Sequence, residues 1–247
     1  MSLPVHLVPS LAGVSVGDGV EVGGDEGHHA VVVRRLRVGE QVVLTDGAGV
    51  GVTGTIAAVA KRSMTVTVDS VVAAEDEPQP RLSVVQALPK GDRGELAVEV
   101  LTEIGAARIV PWAAARSVAV WKGERAAKSL AKWRATAREA AKQSRRIWHP
   151  EVLPLATTDE VAALVAEADA AVVLHEAGEL PLDAVPIVDS GEILIVVGPE
   201  GGLTDDEIAL FEKAGATTVR LGAEVLRTST AGVAAAAALL SRTYRWS

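Results

Sequence analysis

The chain has 247 residues, of which 49% are hydrophobic, and its formal net charge at pH 7 is −8. This size predicts one large or two modest domains with a buried core, and the absence of cysteine excludes disulfides and thiolate metal sites. No HExxH spacing, secretory signal or apolar run near the roughly 20 residues of a membrane span occurs, so we expect a soluble, cytoplasmic protein with no metal and no membrane association.

The first part of the chain, residues 1–74, is rich in valine and glycine. Its segments QVVLTD, GVGVTGTIAAV and SMTVTVDSVV predict short strands separated by glycine turns. These strands indicate a small β-barrel or sheet domain. The charged, proline-interrupted segment EDEPQP, residues 75–80, is the predicted linker to the rest of the chain.

The second part, residues 81–247, alternates strand and helix patterns. The predicted strands are RLSVVQAL, RIVPW, AAVVLHE, EILIVVG and TTVRLG. Strands that alternate with helices in this way are typical of a mostly parallel sheet with helices on both faces. The sequence therefore predicts an α/β fold for this domain.

A basic helix is predicted over residues 125–148. A core-facing stripe recurs along it at alternating steps of four and three: Ala126, Leu130, Trp133, Ala137, Ala140, Ser144 and Ile147. Ten of the 24 Lys and Arg residues fall within residues 116–146, where only Glu124 and Glu139 oppose them. Like charges on one helix face destabilise it, so we favour a phosphate-binding surface over an ordinary solvated face.

A glycine turn, GPEGG at residues 198–202, follows the strand EILIVVG. Thr204 and Glu207 form a capping box that starts a helix running to about Gly215. The turn thus lies at the carboxyl end of a strand, where open α/β sheets bind ligands. Two further strand ends, at His175 and at Gly222, also lead into loops, and we expect the three loops to form one pocket. The pattern fits neither a P-loop nor a GxGxxG dinucleotide turn.

These motifs together resemble one known family. PEGGLTDDE followed by LGAEVLRTSTA, with HHAVVVRRLRVGEQVVLTDGAG, LPKGDRGELAVEVLTEIGAARIVPW, RSVAVW and KWRATAREAAKQSRRIWHPEV, resembles the ribosomal RNA small-subunit methyltransferase E family of the SPOUT class. The resemblance implies a PUA-like β-barrel RNA-binding domain over residues 1–74 and a SPOUT-like α/β trefoil-knot domain over residues 81–247. It also implies that a homodimer methylates N3 of a uridine in 16S ribosomal RNA, within the small subunit, using S-adenosylmethionine.

The resemblance also indicates site residues. The implied cofactor-binding residues are Leu174, His175, Glu176, Gly198, Pro199, Glu200, Gly201, Gly202, Leu221, Gly222, Leu226 and Thr228. Arg227 is the catalytic candidate, because its loop ends in the pocket and its guanidinium could stabilise the negative charge of a deprotonated uridine. The alternative left open is a structural arginine that ties the loop down. The general base is left open between His175, Glu176, Glu200 and water. The family commonly reads L-R-x-E-T-A where this chain has Ser229, so no catalytic role is assigned to that serine.

The predicted RNA contacts are basic residues in several segments: Arg34, Arg35, Arg37, Lys90, Arg116, Lys142, Arg145 and Arg146. The apolar helix over residues 231–240 is expected to pack against the partner subunit, although ordinary core would have the same sequence.

Two alternatives stay open. The first is a ribose 2′-O methyltransferase of the same superfamily, which typically has a catalytic asparagine–arginine pair. This chain contains no asparagine, which weakens that alternative. The second is a non-enzymatic RNA-binding or ribosome assembly protein, for which a barrel and a basic helix would be sufficient.

Overall fold

The computed structural model describes residues 3–72 and 76–246 and has two compact units. The N-terminal unit comprises Met1–Glu77 and Ala141–His149, and the C-terminal unit comprises Pro78–Ala140 and Pro150–Ser247. The predicted domain boundaries stay a prediction, and two of the residues at them, Ala74 and Glu75, lie outside the described residues. The units differ from that continuous division, because residues 141–149 group with the N-terminal unit.

A five-stranded sheet forms the N-terminal unit. Its strands are β1 (Val5–Leu7), β2 (Gly19–Val22), β3 (Gln41–Thr45), β4 (Gly51–Val59) and β5 (Met64–Val72). Their order is β1-β3-β4-β5-β2, with β1 parallel to β3 and the other pairs antiparallel. The three predicted strands are confirmed as β3, β4 and β5. The sequence prediction missed β1 and β2, which are too short to show a clear alternation of apolar residues.

Short helical segments and a compact core complete this unit. Helix α1 (Gly24–His28) continues into a π-helical turn, His29–Val33. Alternate residues of the strands, among them Val42, Leu44, Val52 and Ile56, are fully buried. Period-two burial of this kind is expected where one face of a sheet covers a core.

The basic helix ends earlier than predicted. Helix α3 covers Glu124–Gln143, whereas the prediction ran to residue 148. Arg145 has a φ of 58°, in the left-handed region that non-glycine residues rarely adopt, and this ends the helical path. Trp148 then forms an antiparallel bridge with Ala48. The predicted stripe is nevertheless buried or half-buried at every position, from Ala126 to Ile147.

A buried ion pair lies inside the N-terminal unit. The Lys142 Nζ donates to Glu26 Oε1 at 2.6 Å, and His6 Nδ1 lies 3.4 Å from Glu26 Oε2. Burial raises the pKa of Glu26, but the hydrogen bonds from His6 and Lys142 and the Lys142 charge outweigh it and lower that pKa to about 2. Lys142 is only 9% exposed. We therefore correct the prediction that Lys142 contacts RNA, because its charge is neutralised inside the protein.

We expect His149 to make this unit less stable in mild acid. Burial first, and then the positive charge of Arg146, lower its pKa from 6.5 to about 4. Between pH 6.5 and about 4, His149 is protonated in the unfolded chain but not in the folded chain. The free energy of unfolding therefore decreases as pH falls from 6.5 towards 4. Protonation of Glu26 removes further stability only as pH falls from 4.5 to about 2.

Urea unfolding measured from pH 7.5 down to 4 checks this expectation. His149→Gln does not titrate, so its unfolding midpoint should change much less than that of the wild type between pH 6.5 and 4.5. Equal slopes in the two proteins would assign the acid sensitivity to other groups.

A seven-stranded parallel sheet forms the C-terminal unit. Its strands are β6 (Arg81–Ala87), β7 (Arg108–Trp112), β8 (Glu151–Val152), β9 (Ala170–Leu174), β10 (Leu180–Pro181), β11 (Glu192–Val197) and β12 (Thr217–Arg220). Their order is β10-β12-β9-β11-β6-β7-β8. The five predicted strands are confirmed, and the two-residue strands β8 and β10 were not predicted. Because all the pairs are parallel, the carboxyl ends of β9, β11 and β12 lie at one edge.

Helices cover both faces of this sheet, as predicted. They are α2 (Arg93–Glu103), α3, α4 (Thr158–Glu167), α5 (Asp205–Lys213) and α6 (Thr228–Leu240). One core packs residues of α2, α3 and α6 against alternate strand positions such as Val84. The other packs residues of α4 and α5 against the remaining positions, such as Val85. The strands are buried on both sides, which explains their continuous apolar runs.

Helix α6 packs within its own unit. Ala235, Ala236, Leu239 and Leu240 are fully buried and belong to the core shared with α2. We expected residues 231–240 to pack against a partner subunit. That expectation is wrong for the four buried residues, which belong to the core of their own unit. Gly232 explains the close approach, because an added Cβ would lie 3.2 Å from Val197 Cγ2 and 3.3 Å from Leu101 Cδ2.

Candidate functional site

Three loops at neighbouring strand ends enclose one cavity in the C-terminal unit. Its volume is about 380 Å³, within the range of roughly 300–1,000 Å³ usual for small-molecule sites. It is lined by residues that follow β9, β11 and β12. All the predicted cofactor-binding residues except Gly201 line it: Leu174, His175, Glu176, Gly198, Pro199, Glu200, Gly202, Leu221, Gly222, Leu226 and Thr228. The convergence expected from the sequence is thus present in the structure.

The glycine turn after β11 is rigidly built. Thr204 and Glu207 form the predicted capping box of α5, with each side chain bonded to the other's backbone N–H. Gly202 has a φ of 74°, which favours glycine, and its N–H donates to Pro199 O at 3.0 Å. The Glu200 carboxylate accepts the Lys90 N–H at 3.1 Å. The turn therefore has a fixed shape before any ligand binds.

Gly201 has a different reason to be glycine from the one expected. A Cβ there would lie 2.9 Å from Arg116 O and 3.0 Å from Arg116 Cβ. The close approach is therefore to another loop of the chain, and Gly201 does not line the cavity. A Gly201→Val variant would displace that loop, so it is a poor test of ligand binding.

The third loop leads into α6 and carries Arg227. Arg227 lines the cavity, is exposed, and its carbonyl accepts the N–H groups of Thr230 and Ala231 at 2.9 Å. No hydrogen bond or ion pair joins its guanidinium to any residue that the structure describes. The charge is therefore available to a ligand.

A buried glutamine holds the end of this loop in place, where α6 begins. The Nε2 of Gln86, which is fully buried at the end of β6, donates to the Thr228 carbonyl at 3.2 Å. Sequence reasoning did not single out Gln86, although a polar residue inside the apolar run RLSVVQAL was a visible signal. Ser229, at the position where the family commonly has glutamate, is 2% exposed and does not line the cavity.

The three candidate bases differ in their free lone pairs. His175 Nδ1 accepts the Ala177 N–H at 3.2 Å, which places the proton of the neutral ring on Nε2. That ring has no free lone pair to take a proton. One carboxylate oxygen of Glu200 accepts a hydrogen bond from the backbone N–H of Lys90. Glu176 is exposed and forms no hydrogen bond to the described part of the chain. The geometry thus favours the two glutamates over the histidine.

Three charged residues of the cavity, Arg93, Arg220 and Glu224, were missed by sequence reasoning. Arg93, half-buried in the first turn of α2, and Glu224, in the third loop, both line it. The signal for Arg93 was its place just after the carboxyl end of β6, the same edge of the sheet that carries the three loops. Arg93 and Arg220 add two positive charges to the cavity that Arg227 also lines.

The predicted RNA contacts are distributed over both units. Arg34, Arg35 and Arg37 are exposed in the N-terminal unit, and Arg35 has a φ of 56°. In the same unit Arg145 is exposed and Arg146 is half-buried. In the C-terminal unit Lys90 and Arg116 are exposed. The Arg116 guanidinium donates to the carbonyls of Leu203 at 3.0 Å and Gly201 at 3.4 Å, so it is engaged with the glycine turn.

Two further observations concern metals and membranes. Across residues 3–72 and 76–246, no three His, Asp or Glu side chains are grouped so that they could hold a metal ion. No helix in these same segments combines the length and apolar character that crossing a membrane requires.

Comparison with known proteins matches both parts of the chain. A family model described as an RNA methyltransferase domain matches residues 75–240. A second model, described as an RNA methyltransferase PUA domain, matches residues 22–69. Ribosomal RNA small subunit methyltransferase E of Mycobacterium bovis is 42% identical, covering 98% of this chain and 92% of that protein. The Bacillus subtilis protein of the same name is 32% identical, covering 90% of each.

Solved structures show the same similarity. A Legionella pneumophila protein in complex with the cofactor SAM matches with a TM-score of 0.88 and 28% identity, covering 98% of this chain and 99% of that one. Ribosomal RNA small subunit methyltransferase E of Neisseria gonorrhoeae, bound to S-adenosyl methionine, matches with a TM-score of 0.85 and 28% identity. That match covers 97% of this chain and 98% of the other.

Proposed function

This chain belongs to the ribosomal RNA small subunit methyltransferase E family, and we propose that it methylates N3 of a uridine in 16S ribosomal RNA with S-adenosylmethionine as methyl donor. The predicted fold class, a PUA-like domain followed by a SPOUT-like α/β domain, is confirmed. The observation that carries the proposal is the cavity in which the three strand-end loops meet. Its substrate would place the protein in the cytoplasm, at the small ribosomal subunit.

The residues of the cavity fit this cofactor. Leu174, Val197 and Leu221 supply apolar walls for a flat base, and the carboxylates of Glu176 and Glu224 complement its positive groups. The backbone N–H of Glu200, which lines the cavity, has no partner among the described residues, so a ligand could accept from it. S-Adenosylmethionine would supply a methyl group on a positively charged sulfur, which is transferred by in-line attack.

The chain's own residues must then position and activate the uridine. Uridine N3 carries a proton at neutral pH and is a poor nucleophile until that proton leaves. Glu176 or Glu200 would receive it, directly or through a water, because each keeps a free lone pair at the cavity. The unpaired guanidinium of Arg227 would stabilise the negative charge that develops on the base. In-line transfer needs reacting atoms about 3–3.5 Å apart, and the residues lining the cavity would hold the two substrates at that separation.

Calorimetry and mass mapping test the proposed function. The wild-type chain should bind S-adenosylmethionine, and 16S RNA incubated with both should gain one methyl group on a uracil base. A methyl group on ribose would instead support the 2′-O alternative. No cofactor binding would leave the RNA-binding or assembly role as the better description.

We expect RNA binding to depend on the arginines of the N-terminal unit. Arg34 and Arg37 are exposed near the half-buried Leu36, so their charges can contact phosphates. Arg34→Glu with Arg37→Glu should weaken RNA binding about 10- to 100-fold near physiological salt and leave cofactor affinity unchanged. Each lost contact with single-stranded RNA should also lower the slope of log affinity against log salt by about 0.7.

The matched control makes the same charge change elsewhere. Lys61→Glu with Arg62→Glu reverses two exposed charges in the same unit. Filter binding across a salt series should show a much smaller effect for this pair. Equal losses in both double variants would mean that net charge, and not a local surface, governs the affinity.

A homodimer is part of the proposal. Exposed apolar side chains lie at the cavity, since Val225 is 79% exposed and Leu226 is 42% exposed. Apolar groups grouped in this way mark an interaction surface more often than an ordinary one. A second copy of the chain would cover them and close the cavity.

A further inference from the structure

We propose that Arg116 is a positioning residue that clamps the cofactor-binding glycine turn from behind, instead of contacting RNA. The inference deepens the proposed function and rests on it. Arg116 lies in the loop between β7 and α3, residues 113–123, and does not line the cavity. It was predicted from its charge alone to bind phosphate.

The first argument is that the Arg116 guanidinium is already engaged. Its Nη1 donates to Leu203 O at 3.0 Å and to Gly201 O at 3.4 Å. Both acceptors are carbonyls of the turn that follows β11. A guanidinium held by two carbonyls has less freedom to reach a phosphate, because it would have to abandon these bonds.

The second argument is the fit of the two loops. An added Cβ on Gly201 would lie 2.9 Å from Arg116 O, so backbone meets backbone with no room for a side chain. A second tie holds the same loop, since the Ala115 N–H donates to Glu207 Oε1 at 2.8 Å. Glu207 is only 4% exposed and is also the capping-box residue of α5. The loop, the turn and the start of α5 therefore form one hydrogen-bonded unit.

The third argument is what this unit does to the peptide groups of the turn. The peptide between Gly201 and Gly202 is fixed at both ends, because its carbonyl accepts from Arg116 and its N–H donates to Pro199 O. The peptide between Leu203 and Thr204 is fixed in the same way, by Arg116 and by Glu207 Oε2. Gly198, Pro199, Glu200, Gly202 and Leu203 of this turn line the cavity, whereas Arg116 does not. Arg116 thus holds the wall of the cavity without touching its contents.

The test compares Arg116→Ala with Arg116→Lys and with Lys213→Ala. Lys213 is an exposed cation at the end of α5 with no part in the clamp. Amide hydrogen exchange of residues 198–204 is measured without cofactor, S-adenosylmethionine affinity by calorimetry, and RNA affinity by filter binding without cofactor. Thermal unfolding of each variant confirms that it is folded.

We expect Arg116→Ala to speed exchange in the turn and to raise the cofactor Kd about tenfold, the loss corresponding to one or two hydrogen bonds. Arg116→Lys should recover part of both effects, since a lysine can donate to one carbonyl. Lys213→Ala should change neither, and RNA affinity and its salt slope should be unchanged in all three.

Two results overturn the proposal. One is unchanged exchange in the turn of Arg116→Ala. The other is a weaker RNA affinity with a salt slope smaller by about 0.7 and an unchanged cofactor Kd, which would show that Arg116 contacts a phosphate. Failure of the proposed function has a separate signature: the wild type would not bind S-adenosylmethionine, while faster exchange in Arg116→Ala would still demonstrate the clamp.

Discussion

Replacing Arg227 by alanine is expected to lower the single-turnover rate about 10²–10³-fold, with cofactor and RNA affinities little changed. Arg227 lines the cavity and its guanidinium has no partner among the described residues, so it can stabilise the negative charge that develops on the uridine. An interaction made mainly in the transition state changes the rate more than it changes the binding of either substrate. Rapid-quench measurement at saturating cofactor and RNA gives this rate directly.

The pH dependence separates this role from others. The wild-type rate should rise with pH as the N3 proton becomes easier to remove, and in Arg227→Ala the rise should move to higher pH. Arg227→Lys should recover only part of the rate, because a point charge does not reproduce the planar guanidinium.

The matched control is Arg220→Ala, which removes another exposed arginine of the cavity. Its single-turnover rate should fall much less than that of Arg227→Ala. A normal rate in Arg227→Ala, combined with lost cofactor binding, would make the residue an anchor of its loop.

Replacing Gly222 by valine is expected to weaken S-adenosylmethionine binding about 100-fold while the fold is kept. Gly222 lines the cavity, and among the described residues other than its chain neighbours only Glu224 Oε2, at 3.9 Å, lies within 4 Å of an added Cβ. The valine therefore finds room in the protein alone but occupies space that the ligand needs. Calorimetry gives the affinity, and thermal unfolding gives the stability.

The matched control for this variant is Gly19→Val. Gly19 is exposed in β2, and an added Cβ there would contact Thr65 Cγ2 at an ordinary van der Waals distance of 3.6 Å. This variant should bind the cofactor as the wild type does. Wild-type affinity in a folded Gly222→Val protein would exclude the cavity as the cofactor site.

Much of the fold was predictable because its signals are local. Strands β9 and β11 each contain five consecutive apolar residues, and Thr204 and Glu207 are three residues apart. Patterns of this length are visible in sequence, since side chains of a strand point to the same face every two residues and a capping box spans one helical turn. The parallel sheet then follows from the alternation of strands and helices. The parallel sheet in turn places the glycine turn, His175 and Gly222 together, at the edge formed by the carboxyl ends of its strands.

The roles of individual charged residues could not be predicted in this way. Lys142 and Arg116 carry the same kind of charge in one basic segment, and sequence reasoning assigned both to RNA. In the structure Lys142 pairs with Glu26, 116 positions away, and Arg116 bonds to Gly201, 85 positions away. Nothing within a helical turn of either residue indicates these partners.

The sequence by itself determined the strands, the capping box, the glycine turn and the sheet edge that carries the site. Only the tertiary structure decided that residues 141–149 join the N-terminal unit, that Arg93 faces the cavity, and which basic residues stay exposed. The physical reason is that hydrophobic periodicity and capping act between near neighbours along the chain. Whether a charge is buried, paired or free depends instead on groups that folding brings together from distant positions.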